Sequence, residues 1–367
     1  MKEHLIPTAA LHRWVVDLWL AVGSNAREAA LTADHLVGAN LAGHDSHGVG
    51  MVPRYVNSWL ADELKLNRHV AITQDGGTML TLDGQRGMGQ AVTHEAMELA
   101  IARAREHGVC VMGLKHSHHL GRVGHWAEQA VAAGMVSVHF VNAISKPIVA
   151  PHGGREGRFV TNPFTVGIPV PGRAPILLDF ATSAIALGKV RVAYNKQVKV
   201  PADSLLDQHG AYTDDPGVMF PPAGTPPGAL LPFAGHKGYA LAMVCELLGA
   251  ALTGGDTTRP ANLKMKHAVW NNMLAIVFDP KRMGTAAVFG DEVNAFVEWV
   301  QSAPLRDGSD AILMPGEPEQ AARMARAGAI PIDSSTLAQM DEAAAAVQRT
   351  RGKSPGPLSA LKAGASI

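Results

Sequence analysis

Between residues 78 and 141 short apolar runs alternate with helical stretches, and a glycine closes most of the units. Residues 78–83 read as a strand, 84–89 as a turn, and 91–106 as a helix carrying Ala96, Met97, Leu99, Ala100 and Ala104, stopped by Gly108. Residues 109–114 form a second apolar run that empties into His116-Ser117-His118-His119. A helix over 123–133 follows, closed by Gly134, and then a strand over 136–141. A chain with this rhythm has to bury a sheet under helices, so the middle is mixed α/β. Further strand signals fall at 164–169, 176–180 and 274–278. The stretch 239–252 is apolar nearly all round, which predicts a buried helix.

The flanks are helical. Thr8 is placed to cap a helix over 9–22, with Gly23 as its stop. Ser24 or Asn25 caps a second helix, which ends at Gly43 and delivers His44-Asp45-Ser46-His47-Gly48. After Pro304 helices are expected over 317–327 and 334–349, with a fraying end from Gly352. This order predicts an N-terminal helical part (1–70), a mixed α/β region for cofactor and substrate (71–303), and a C-terminal helical part (304–367). The two helical parts are expected to pack together as one layer around a mixed central sheet.

The 367 residues leave ample material for a core, and the 32 basic and 32 acidic side chains cancel. No basic stripe offers a field for nucleic acid or an anionic membrane, and no apolar run approaches the roughly 20 residues needed to cross a bilayer. The start has no basic segment followed by an apolar one, so a cytoplasmic protein is expected. Cys110 and Cys245 sit among apolar neighbours and read as small buried hydrophobes, not a disulfide.

One motif is a decoy. Gly87-x-Gly89-x-x-Val92 follows a strand and opens a helix, as a dinucleotide fingerprint would. The third glycine is missing, and Lys115 and His116 stand where an acidic ribose partner belongs, so a turn plus helix start is the better account.

Histidine is abundant, at 17 residues, and concentrated in two loops, His44/Ser46/His47 and His116/Ser117/His118/His119. An imidazole titrates near working pH, which suits it to proton transfer beside a carbon that changes oxidation state. The same residues could instead form the nitrogen-rich centre of a metal-dependent hydrolase. Against that, no Asp, Glu or Cys stands at ligand spacing in the second loop, and adjacent His118 and His119 would face opposite sides of an extended segment. No metal is expected.

The wording of the loops goes further. Asp45-Ser46-His47-Gly48-Val49 and Ser117-His118-His119-Leu120-Gly121 resemble two signature loops of the type-2 malate/L-lactate dehydrogenase family. Thr161-Asn162-Pro163-Phe164, Leu178 to Ser183, Gly188-Lys189-Val190, Gly235-His236-Lys237-Gly238-Tyr239 and Pro315-Gly316-Glu317 continue the likeness in order. The run from Ala39 to Gly48 is most similar to a branch whose substrates are aryl and alkyl 2-hydroxy acids. The resemblance implies a fold outside the Rossmann class, a homodimer, and hydride transfer between NAD or NADP and C2 of a 2-hydroxy or 2-oxo acid. It implies that His119 is the proton donor and acceptor and that Ser46 and His47 line the same pocket. It also implies that Ser145, Asp179, Phe180, Ala181 and Lys237 contact the cofactor.

From the residues themselves, Lys237 is either a phosphate partner or a solvated cation poorly placed at a helix start, and Asp179 is a cofactor contact or a strand-end cap. Arg122, beside His119, is the candidate seat for the substrate's C1 carboxylate. Two arginines common in the family are absent: Met51 and Ala42 stand in their places. An unpaired distal carboxylate against Met51 would be costly, which points to monocarboxylic substrates with apolar or aryl side chains. A malate or lactate dehydrogenase proper is the alternative within the family. Val160 replaces a common glycine with no functional consequence to be drawn.

Overall fold

In the computed structural model, which describes residues 2–361, the chain builds a seven-stranded mixed sheet. Its order is Ala71–Asp75, Met79–Asp83, Val109–His118, Trp270–Phe278, Val136–Ile144, Phe164–Ile168, Ile176–Phe180. Only the pair Met79–Asp83 and Val109–His118 runs parallel, joined by the helix Gly89–His107. One face buries Met112, Leu114, Val141, Met273 and Ala275 against that helix and Gly124–Ala132. Alternation turns Gly113 to the other face, where a Cβ would press on Thr253 at the end of the helical run from His236.

The termini share a layer. Glu3–Pro7 pairs antiparallel with Ala329–Asp333, and Leu11, Trp14, Leu18, Leu36, Tyr55, Leu337, Met340 and Val347 fill one core between the first three helices and the last. Thr8 lies inside the helix Thr8–Val22, and its hydroxyl donates to the Arg326 carbonyl instead of capping. Asn25 does cap, accepting from the Glu28 amide at 2.8 Å. Of the segment after Gly352, residues 353–361 are packed, against expectation, because Leu358 is buried in the terminal core and the Trp14 indole N–H donates to the Gly356 carbonyl, and the remainder of that segment lies outside the described residues.

The apolar stretch from 239 is also corrected. The helix His236–Glu246 continues as a π-turn over Leu247–Ala251, lays Gly238, Ala242, Cys245 and Gly249 on the sheet, and leaves the opposite stripe exposed. Ala240, Val244, Leu247 and Ala251 form that stripe at intervals of three and four, with Leu252 beside it. Both cysteines are buried and unpaired, and burial pushes the Cys110 thiol up to about 11. No helix of the described residues is long and apolar enough to cross a membrane.

Candidate active site

The central strand carries a fault at its end. Met273 pairs with Leu114 and Asn271 with Ser117, so Lys115 and His116 together oppose Asn272. This bulge re-aims the strand end. His116 takes the left-handed conformation (φ 53°), and its amide donates to the Asn272 side chain at 2.8 Å. The strand therefore runs past residue 114 and ends at His118, and His119 opens the loop behind it.

That loop is held from four sides. The His118 amide donates to the Gly87 carbonyl, the Gln90 side chain to the His119 carbonyl at 3.2 Å, the Leu120 amide to Asn271 Oδ1 at 3.0 Å, and the Arg122 amide to His35 Nε2 at 2.9 Å. Gly89 of the decoy motif and Gly121 of the loop itself serve the same end. A Cβ at Gly89 would collide with the His119 carbonyl, and one at Gly121 (φ 74°) would collide with the His35 ring.

His119 is half-buried, and its Nδ1 lies 2.6 Å from the hydroxyl of Tyr55, itself fully buried and receiving a hydrogen bond from Gln90 at 3.2 Å. Nε2 of His119 has no protein partner among the described residues. His47 stacks on His119 with ring centroids 5.7 Å apart, and Ser46 Oγ is 3.0 Å from His47 Nδ1. Burial, reinforced by His47, His118 and the Arg54 guanidinium, holds His119 well below the ordinary imidazole range. Burial likewise lowers His47, partly offset by the Asp179 carboxylate. Met51 is half-buried just before the helix Val52–Leu60 that presents Tyr55.

The other expected residues fall on two sides of this centre. Arg122 is 4% exposed, with Nη2 2.5 Å from Glu128, so its charge is already spent and it does not stand as a free carboxylate seat. Asp179 accepts from Thr165 Oγ1 at 2.8 Å and from the Gly124 amide at 2.9 Å, which makes it a strut between strand and helix. Phe180 stacks edge-on against Phe233, and the Phe233 amide donates to the Thr182 carbonyl, so the strand end Asp179-Phe180-Ala181 meets the turn that starts the Lys237 helix. Lys237 is exposed in the first turn of an uncapped helix, and Gly235 before it adopts φ 61°. Ser145 stands apart from these, its Oγ 3.4 Å from Arg54 Nη2.

The five loop histidines do not converge. His44 pairs with Glu319 at 3.0 Å, His116 with Asp83 at 3.0 Å, and His118 is buried edge-on against Tyr55. No group of three His, Cys, Asp or Glu able to hold a metal ion occurs among the described residues. The hydrolase alternative has no centre to rest on. Tyr55, Gln90, Asn271, His35 and Arg54 were missed from the sequence. The scarcity of tyrosine, four in the chain, was the one available signal for Tyr55, which lies on the helix directly after the Ser-His-Gly loop.

The fold is a mixed sheet without a dinucleotide fingerprint, and comparison with known proteins places it among hydroxy-acid oxidoreductases. The profile of the malate/L-lactate dehydrogenase family matches residues 6–341, and the chain belongs to that family. It is 47% identical over 343 residues to hydroxycarboxylate dehydrogenase B of Escherichia coli O157:H7, covering 93% of this chain and 94% of that one. It is 42% identical over 293 residues to an L-lactate dehydrogenase of Cupriavidus necator, covering 79% and 83%. The solved sulfolactate dehydrogenase of Methanocaldococcus jannaschii superposes with a TM-score of 0.84 at 28% identity, covering 97% and 99%. Dehydrogenases of this family use a nicotinamide cofactor.

Proposed function

We propose that the chain moves a hydride between NAD or NADP and C2 of a monocarboxylic 2-hydroxy or 2-oxo acid with an apolar or aryl side chain, with His119 handling the proton. The observation that carries this reading is the 2.6 Å contact between Tyr55 and His119 Nδ1, which fixes the ring and leaves Nε2 for the substrate oxygen.

Lys237, exposed in the first turn of its helix, offers a cation to phosphates, with the Phe180 ring on the adjoining strand end, and Ser145 adds a hydroxyl from the other side of the centre. Asp179 contributes by holding that strand end. The nicotinamide, when bound, supplies or accepts the hydride at C2. In oxidation the neutral His119 ring accepts the hydroxyl proton on Nε2, and in reduction the protonated ring returns it to the C2 oxygen. Ser46 and His47 line the open side of the ring, and Met51 forms an adaptable apolar wall.

The exposed stripe Ala240, Val244, Leu247, Ala251, on the helical run that begins at His236, favours a homodimer whose interface adjoins the cofactor. The protein is proposed to work in the cytoplasm. A panel of 2-oxo acids, assayed by loss of NADH and NADPH absorbance, tests the reading. Phenylpyruvate-type acids should give higher kcat/KM than oxaloacetate, and the reverse order overturns the substrate assignment.

A further inference from the structure

Met51 and Ala42 remove two arginines, Arg122 is locked to Glu128 and Lys237 is assigned to the cofactor, so no residue placed so far in the substrate pocket offers a free cation to the anion that every 2-oxo acid carries. The helix Val52–Leu60 supplies one. Arg54 lies three residues after Met51 and directly before Tyr55, and the backbone is right-handed helical from Met51 onward, so Met51 and Arg54 neighbour each other along one face.

Its guanidinium is fixed by one edge. Nε donates to the His267 carbonyl at 2.8 Å, and the loop bearing that carbonyl is itself clamped, with the amides of Lys266, His267 and Ala268 all donating to the Glu63 carboxylate. The far edge makes only a 3.4 Å contact to Ser145 Oγ, and no carboxylate pairs with Arg54 among the described residues. The side chain is exposed, yet its charge is felt at both His118 and His119. A cation tethered at Nε, with Nη1 unpaired among the described residues and Nη2 held only by the long contact to Ser145, is built to take a planar oxyanion end-on.

We propose that Arg54 is the seat of the substrate's C1 carboxylate, holding C2 beside His119 on one side and Ser145 on the other. The assignment rests on the hydroxy-acid reading above. A second consequence follows from the charges facing His119, which are His47 from its loop, His118 from the strand end, and Arg54 beside Tyr55 from the helix. Seating a carboxylate on Arg54 cancels the permanent cation among the charges that lower His119, so substrate binding and proton uptake by His119 reinforce each other.

The test uses Arg54→Gln and Arg54→Lys in the full chain, with thermal melts confirming folding. Oxamate, a non-reacting 2-oxo acid mimic, is titrated calorimetrically onto the protein with NADH or NADPH bound, and each cofactor is titrated alone by fluorescence. Arg54→Gln should weaken oxamate about tenfold or more, change cofactor affinity by less than about threefold, and move the acid limb of hydroxy-acid oxidation to higher pH. Arg54→Lys should restore the limb and part of the affinity. Unchanged oxamate affinity overturns the proposal. So does a loss confined to the cofactor titration, which would assign the guanidinium to a cofactor phosphate. If the wild type itself turns over no 2-oxo acid, the functional reading falls with it, an outcome separable from a silent Arg54 variant in an active enzyme.

Discussion

The hydroxyl of Tyr55 sits 2.6 Å from Nδ1 of His119, and both partners are locked by a third residue, Gln90, which donates to the Tyr55 oxygen and to the His119 carbonyl. One amide side chain therefore sets the rotamer of the phenol and the height of the loop.

Tyr55→Phe removes the hydroxyl and leaves Nδ1 without its partner. We expect kcat to fall by about tenfold or more while the fold survives, since a lost buried hydrogen bond costs about 1–3 kcal/mol. His119→Ala should cut kcat at least about a hundredfold with cofactor binding little changed. Steady-state rates, cofactor titrations and melting curves on both variants check the pair, and a near-normal rate in His119→Ala removes that ring from the mechanism.

The depressed proton affinity of His119 has a sign that activity reads directly. A base whose pKa is lowered stays neutral further into the acid range, so oxidation should retain full kcat/KM below pH 6.5, with its acid limb beneath the ordinary imidazole value. Reduction needs the protonated ring and should fall as pH rises across the same window. An oxidation limb above pH 7 contradicts this assignment.

Much of this was legible in the chain. The alternation of apolar runs and glycine stops located the sheet, and the polar loop after residue 114 pointed to the ring for which proton transfer is proposed. The bulge at Lys115–His116 was not, because it depends on Asn271 and Asn272, more than 150 positions away. Nor was the burial of Arg122, which Glu128 decides by drawing the guanidinium inward while Arg323 shares the same carboxylate. The helix from His236 looked buried because composition registers apolarity but not which face lacks a neighbour.

Met51→Arg restores a cation one turn from Arg54. It should raise kcat/KM for oxaloacetate relative to a phenylpyruvate-type acid by about tenfold or more, the scale of one charge-assisted pair. A ratio unchanged in a competitive assay would show that residue 51 does not touch the side chain of the substrate.

Four rings outside the reaction, His35, His118, His125 and His139, are held by burial below the ordinary imidazole range and make the fold sensitive to acid. Burial pushes His118 and His139 each down to about 3, against 6.5 for an exposed imidazole, and both are fully buried. Their contribution is complete above pH 6.5 and is lost as pH falls toward about 3, because the unfolded chain takes up the protons first. At pH 5 each costs about 2 kcal/mol. Melting temperature should drop between pH 7 and pH 5, and His139→Gln should flatten the drop.

Val244→Glu with Leu247→Glu places two charges in the exposed apolar stripe. Light scattering after size exclusion should show the wild type at twice the chain mass and the variant as a monomer with weakened cofactor binding. A wild-type monomer would leave the stripe without a second copy to cover it.

The pairing of Glu3–Pro7 with Ala329–Asp333 dictates an order of events during synthesis. At about 5–20 residues per second, the first strand emerges tens of seconds before its only partner leaves the ribosome. Until then Trp14, Leu18 and their neighbours have only the second and third helices to pack against, with the side later covered by Ile330, Leu337, Met340 and Val347 still open, and the nascent chain is a natural client for chaperones.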